Sequence, residues 1–366
     1  MKSFKEFNQF ILEGGNVQIG DKSADRINLK NINRDDIIPV IKNGLKAISD
    51  QFENKNGLPL WDSEVFKSNK FLSGSAFHFF DVMIPSTEFV SKKPSVGDID
   101  TMVDVALAPM VKEFLSANIG KSFDKLNYIG FKESAGQFIT LWELSEFNIN
   151  IQIDLELVDH DNGKPTDWAQ FSHSSAWSDI VNGVKGVHHK YLMQSLSADV
   201  KEPIIILTGK RRTPKETDKS KLAFSVQKGL RIRYVPHLVD GKQQLIGGKL
   251  VFDELETNES VFETKLENIF TMFIGSKPTG SDMSDMHSFN GSIKILKKYK
   301  KPNEIKLIFD DYFDRLFGKG AQMIVRADHT GDLSEKFPGI IFATNELSID
   351  IEPYNKKIAE YYKGQK

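Results

Sequence analysis

Apolar positions change their spacing along the chain, and each change marks an element. In the first fifteen residues, MKSFKEFNQFILEGG, Phe4, Phe7, Phe10 and Ile11 recur at helical spacing before a Gly14-Gly15 stop. Residues 35–52, DDIIPVIKNGLKAISDQF, repeat that period and predict a helix with Asp35 or Asp36 near its start. The period then drops to two. FITLWEL (138–144) and FNINIQIDLELV (147–158) predict consecutive strands in a hairpin that turns near Ser145 and Glu146. In the second strand Phe147, Ile149, Ile151, Ile153, Leu155 and Leu157 share one face, and Asn148, Asn150, Gln152, Asp154 and Glu156 share the other. Such alternation predicts one face on a core and one open to solvent or a cleft.

Weaker patterns fill in the remainder. The end of a strand and then a helix, APMVKEFLSANIG, are expected between 101 and 122. SSAWSDIVNGVKGVHHKYLMQSL (174–196) predicts a helix, with Ser174 or Ser175 as N-cap and a break at Gly183 or Gly186. A polar, basic loop follows at 208–221, then short strands around AFSV, LRIRYV and KLVFDEL. Residues 255–318 read as mostly helical in NESVFETKLENIFTMFIG and SIKILKKYKKPNEIKLIFDDYFDRLF, the latter divided at Pro302, and the tail YNKKIAEYYKGQK predicts a charged helix. The expected fold class is α+β, a small mixed sheet flanked by helices and followed by a helix-rich second half.

Composition narrows the chemistry. The chain has 366 residues, 40% of them hydrophobic, enough for one large core or two medium ones. Its 48 basic and 50 acidic residues leave a formal charge of −2, so contact with nucleic acid requires a local basic patch. There is no cysteine, which excludes disulfides, thiolate chemistry and cysteine zinc sites and suits a reducing cytoplasm. No apolar run has the length of a membrane span, so no membrane partner is expected.

Against that background the stretch FLSGSAFHFFDVMIPSTEFVSKKPSVGDIDTMVDV (71–105) poses an electrostatic problem. Residues i and i+2 of a strand point the same way, about 6.6–6.8 Å apart. Asp98, Asp100 and Asp104 therefore share a face, with Ile99, Val103 and Val105 on the other. Like charges on one face repel and cost desolvation unless a cation offsets them. Gly74-Ser75 lies upstream, where a turn into a helix would present N–H groups and a hydroxyl to phosphate. Asp154 supplies a third carboxylate on another strand. Hard oxygen ligands of this kind are what magnesium takes, with substrate phosphates completing its shell.

The pieces SGS (73–75), DID (98–100) and IDL (153–155), in that order, resemble the DNA polymerase β-like nucleotidyltransferase superfamily over residues 60–195. The resemblance implies that family's catalytic core in residues 14–200 and a mixed, helix-rich domain in 201–366. It implies magnesium-dependent transfer of a nucleoside monophosphate from an NTP to an acceptor hydroxyl, using two ions, with manganese as a substitute. Asp98 and Asp100 would bind both ions; Asp154 would bind the catalytic ion and help deprotonate the acceptor; Gly74 and Ser75 would hold the triphosphate. The 22 residues between Ser75 and Asp98 exceed the family's usual spacing, and an inserted loop, IPSTEFVSKKPSVG (84–97), is expected to account for them.

Further candidates surround this set. Glu156 shares a face with Asp154 and is placed to replace or assist it, whereas Asp104 reads as a strand-end surface residue. Lys190 matches the lysine that reaches the triphosphate from a later helix in many relatives, and otherwise reads as a solvated side chain. His188 and His189 are adjacent and cannot form an i, i+4 metal pair. His173 precedes the predicted helix and reads as a capping residue or an acceptor-side group. Lys210, Arg211 and Arg212 in the basic loop are candidates for contacting the phosphates of an RNA acceptor, or else an ordinary solvated run.

The amino terminus resembles the capsid-targeting peptides of T-even-type tailed phages. Those are cleaved by a prohead protease after glutamate, and Ile11-Leu12-Glu13 before Gly14 fits that rule. Residues 1–13 would then be removed and the protein packaged in the virion and delivered to the host cytoplasm; the alternative is an amphipathic helix docked on the protein's own core. The acceptor is open between an RNA 3′ end such as tRNA, a protein hydroxyl and a small molecule. The alternatives to an enzyme are a non-catalytic nucleotide- or RNA-binding protein and an internal capsid protein.

Overall fold

In a computed structural model of the chain, the described residues are 17–134, 136–182, 184, 186–199, 221–225, 229–246, 249–250, 252–254, 262–317 and 338–356. The predicted amino-terminal helix and Glu13-Gly14, the basic loop with Lys210, Arg211 and Arg212, and most of the charged carboxy-terminal helix lie outside them. The chain is α+β and divides into two units, Met1–Val181 and Asn182–Lys366. The division falls earlier than the expected boundary at 200, and the helix Gly186–Asp199 goes with the second unit.

A five-stranded mixed sheet organises the first unit. Its order is Asp98–Asp104, Ile149–Val158, Gln137–Leu144, Leu126–Ser134 and Ser122–Phe123. The first pair is parallel, with Asp100 opposite Asp154, and the others are antiparallel. The predicted hairpin is present, turning through Ser145–Asn148 with Asn148 at φ 51°. The strand Leu126–Ser134 has no counterpart in the sequence reading, because Gly130 and a register shift between Tyr128 and Gly130 interrupt its alternation.

One sheet face forms the core. Ile99, Val103, Phe138, Trp142, Ile151, Ile153 and Leu155 are buried there. The helix Arg34–Asn56 covers that face with Ile37, Ile41, Leu45, Ile48 and Phe52. Asn33 caps it through the Asp35 N–H and Gly57, at φ 78°, closes it. It approaches closely at Gly44, where a Cβ would fall 2.3 Å from Leu126 Cδ1. Phe114 of the helix Ala108–Ala117 meets Phe52 edge-on at 5.4 Å between ring centroids, which joins the two covering helices.

Two expectations are corrected here. Residues 84–97 are not a loop: they hold the helix Ser86–Lys92 and the strand Ser95–Val96, which pairs with Ile27–Asn28. Ser174 does not open a helix; it closes Asp167–His173, its N–H bonded to the Gln170 carbonyl, and the next helical segment is Trp177–Val181. The first proline-directed prediction holds, since Phe289–Tyr299 and Pro302–Phe317 are separate helices.

In the second unit, Gly229–Pro236 pairs antiparallel with Lys221–Ser225, Phe252–Glu254 and Phe262–Glu263. Phe262 and Glu263 thus belong to a strand, not to the helix expected from residue 258, which runs only over Leu266–Ile274. His188 and His189 are buried in this unit, His188 Nδ1 lying 2.6 Å from the Tyr312 hydroxyl and His189 Nε2 3.0 Å from the Met286 carbonyl. Among the described residues no helix is long and apolar enough to cross a membrane.

Candidate metal centre

The parallel register of Asp98–Asp104 with Ile149–Val158 builds the site. It pairs Asp98 with Gln152, Asp100 with Asp154 and Met102 with Glu156, all on the sheet face opposite the main core. One carboxylate oxygen from each of Asp98, Asp100 and Asp154 lies within 4.8 Å of the other two. The sequence reading expected the polar face of Ile149–Val158 to be open, but Gln152 and Asp154 are buried, at 7% and 6% exposure. Chain from outside the sheet covers that face. The Val17 N–H donates to Gln152 Oε1, Ile19 packs on Gly130, and Met102, Val158 and Ala169 form a small second cluster.

The other edge of Asp98–Asp104 carries the Gly-Ser turn. Phe71 O accepts from Met102 N, Ser73 N donates to Asp100 O, and Leu72 bridges Thr101. The chain then turns at Gly74, φ +54°, into the short helix Gly74–Phe79. A Cβ on Gly74 would stand 2.9 Å from Asp100 Oδ2, so glycine is required both by backbone conformation and by contact with the carboxylate. The intervening 22 residues therefore do not separate the turn from the aspartates. They return as an ordered helix and strand.

Electrostatics follow from the enclosure. Burial pushes Asp154 up to about 8, with Asp98 and Glu156 adding to the rise and the Gln152 amide opposing it. That amide lies 3.0 Å from both Asp154 oxygens, which orients the carboxylate. Asp100 is held well above the usual carboxylate range by burial, then by Asp98, Glu156 and Asp154. Asp98 is raised by burial as well, against the pull of Lys93 and Arg26. The donor set is thus three hard oxygens that repel one another in a poorly hydrated site, which is the chemistry that suits magnesium or manganese.

Several participants escaped the sequence reading. Lys93 and Arg26 are the cations acting on Asp98, and burial lowers Lys93 while Asp98 and Asp100 raise it. Both sit in polar text with no period. Ser73 donates its hydroxyl to Glu156 Oε2 at 2.7 Å. His173, within the helix Asp167–His173, places Nε2 4.0 Å from the same oxygen and Nδ1 3.1 Å from the Ala169 carbonyl. Asp104 caps the following 3₁₀ turn by accepting from Ala106 N, and so is a structural strand-end residue. Ser75 is half-buried in the first turn after Gly74. Lys190 lies exposed on the helix Gly186–Asp199 of the second unit.

Comparisons with protein-family models, curated proteins and solved structures return no match for this chain.

Proposed function

We propose that this protein is a metal-dependent nucleotidyltransferase with a polymerase β-like core, transferring a nucleoside monophosphate from an NTP to an acceptor hydroxyl with release of pyrophosphate. The observation that carries this reading is the Asp98, Asp100, Asp154 cluster, assembled by parallel register with the Gly74 turn packed directly on Asp100. Asp98 and Asp100 would hold both magnesium ions and Asp154 one of them. Magnesium bound there supplies neutralisation of charge on the reacting phosphoryl oxygens. Asp154, aimed by Gln152, is the carboxylate set to take the proton of the acceptor hydroxyl. Gly74 and Ser75 hold the triphosphate, and the ammonium of Lys93 offsets its charge from the Asp98 side.

The test is transfer of label from α-labelled NTPs, with magnesium, to RNA (tRNA first), protein and small-molecule acceptors in a cell lysate. Label should appear in one class with the wild-type chain and fall at least about 1000-fold with Asp100→Asn or Asp154→Asn, a loss in the range expected when a metal ligand is removed. Equal labelling by wild type and both variants would sink the proposal. Thermal stabilisation by NTP without transfer to any acceptor would instead identify a nucleotide-binding module.

A further inference from the structure

Glu156 lies two residues beyond Asp154 on the same strand face, yet it is not part of the three-carboxylate cluster. The carboxylate oxygens of Asp98, Asp100 and Asp154 lie within 4.8 Å of one another, and Glu156 contributes none to that group. What it has instead is a protein partner. Ser73 is 3% exposed, and its hydroxyl donates to Glu156 Oε2 at 2.7 Å. A serine at the N-cap of a helix ordinarily turns its oxygen back to the N–H groups of the first turn. Ser73 occupies that position for Gly74–Phe79 and makes no such bond. Its side chain is held away from its own helix by a carboxylate on a distant strand.

A histidine ring lies beside the same carboxylate. The ring of His173 is 7% exposed and is fixed through Nδ1, which donates to the Ala169 carbonyl at 3.1 Å and lies 3.0 Å from Ser172 Oγ. That leaves Nε2 facing Glu156 Oε2 at 4.0 Å. The chain just after His173 then runs alongside the turn. Ser174 bridges Gly74, and the Ser175 carbonyl meets His78 Nε2 from the same short helix. The Ser73–Glu156 hydrogen bond and the Ser174–Gly74 bridge therefore tie two separate segments to the turn at adjacent residues.

We infer that Glu156 is a positioning residue rather than a fourth metal ligand: through Ser73 it locks the Gly74–Ser75 turn against the Asp100 strand, and so sets where the nucleotide's phosphates lie. The nucleotide part of this inference rests on the function proposed above. A positioning role needs an acceptor at Oε2 and not a charge, so the amide should serve nearly as well as the acid.

Four measurements on the full chain test it: hydrogen exchange at residues 72–77, manganese binding, ATP binding with calcium present, and label transfer. Glu156→Ala and Ser73→Ala should both speed exchange at 72–77 at least about 10-fold. They should leave manganese affinity within about 3-fold of wild type while weakening ATP at least about 10-fold, chiefly through KM when transfer is followed. Glu156→Gln should restore all of these values to near wild type. Unchanged exchange in Glu156→Ala would overturn the inference whatever the protein's activity. Loss of manganese binding in Glu156→Gln comparable to that in Asp154→Asn would overturn it too, making Glu156 a ligand while leaving the metal reading intact. Faster exchange in a protein that binds neither manganese nor ATP would overturn the nucleotide part together with the proposed function.

Discussion

At the scale of single residues, the site is governed by how little room its carboxylates have. Asp154 is raised to about 8 in the fold, against about 3.9 in an unfolded chain. The folded state then holds that proton more tightly, so stability is complete below about pH 4 and is lost as pH rises through about 8. In EDTA the first unit should therefore lose on the order of a few kcal/mol between pH 5 and 8.5, and manganese should restore most of it at the alkaline end. Asp154→Asn should flatten the profile. A melting curve that does not move with pH or with manganese would contradict this account. Gly74 is equally constrained. Gly74→Ala places a Cβ at 2.9 Å from Asp100 Oδ2 in a left-handed backbone, and should cost about 1–3 kcal/mol in stability and most of the manganese affinity. Calorimetric titration of manganese into the variant checks the second part.

At the scale of elements, the short helices matter more than their lengths suggest, and Arg34 shows why. It is 2% exposed, and its guanidinium donates to the carbonyls of His78, Phe79, Asp81 and Ile84 while lying over the Phe89 ring. One side chain from the long helix thus terminates Gly74–Phe79 and fixes the next turn. Arg34→Met should remove a charged donor from each of those carbonyls, of which only His78 and Asp81 keep a backbone N–H, from Asp81 and Ile84. The first unit should be destabilised by about 3 kcal/mol or more in urea denaturation. A loss below about 1 kcal/mol would show that the turn is held elsewhere.

None of this network was legible in the sequence, and the reasons are physical. Asp98, Asp100 and Asp154 could be read because a two-residue period tells which side chains share a face, whatever the strand pairs with. The same rule fails for Leu126–Ser134, whose alternation breaks at Gly130, and for helices of five to seven residues, which are too short to establish a period. Lys93, Arg26, Arg34 and Ser73 act through contacts between segments far apart in the chain, and no local spacing encodes those. Burial of Gln152 and Asp154 was missed for the same reason: the residues that cover them come from 17–19 and 167–173.

At the scale of the whole molecule, the two units carry different acid–base liabilities. All four tryptophans, Trp61, Trp142, Trp168 and Trp177, belong to the first. His189, in the second, is driven down to about 4 by burial. A histidine depressed from 6.5 contributes stability that is complete above that value and disappears as pH falls toward 4, about 3 kcal/mol in all. Acidification from pH 7 to 4.5 should therefore lower the melting temperature seen by circular dichroism more than that seen by tryptophan fluorescence. His189→Gln should bring the two probes together, and coincident transitions in the wild type would refute the assignment.

The parallel pairing of Asp98–Asp104 with Ile149–Val158 also determines when the chain acquires its charge problem. The hairpin 137–158 closes locally, whereas the parallel strand must dock from far away in sequence, and loop closure makes such long-range pairing slow. If that docking is the late step, the repulsion of Asp154 with Asp98 and Asp100 arises there, while that between Asp98 and Asp100 is already present in the unfolded chain. Divalent cation should accordingly quicken refolding of the wild type and leave the rate of Asp154→Asn unchanged. Stopped-flow tryptophan fluorescence would reveal a cation that serves the assembly of the sheet before it serves any substrate.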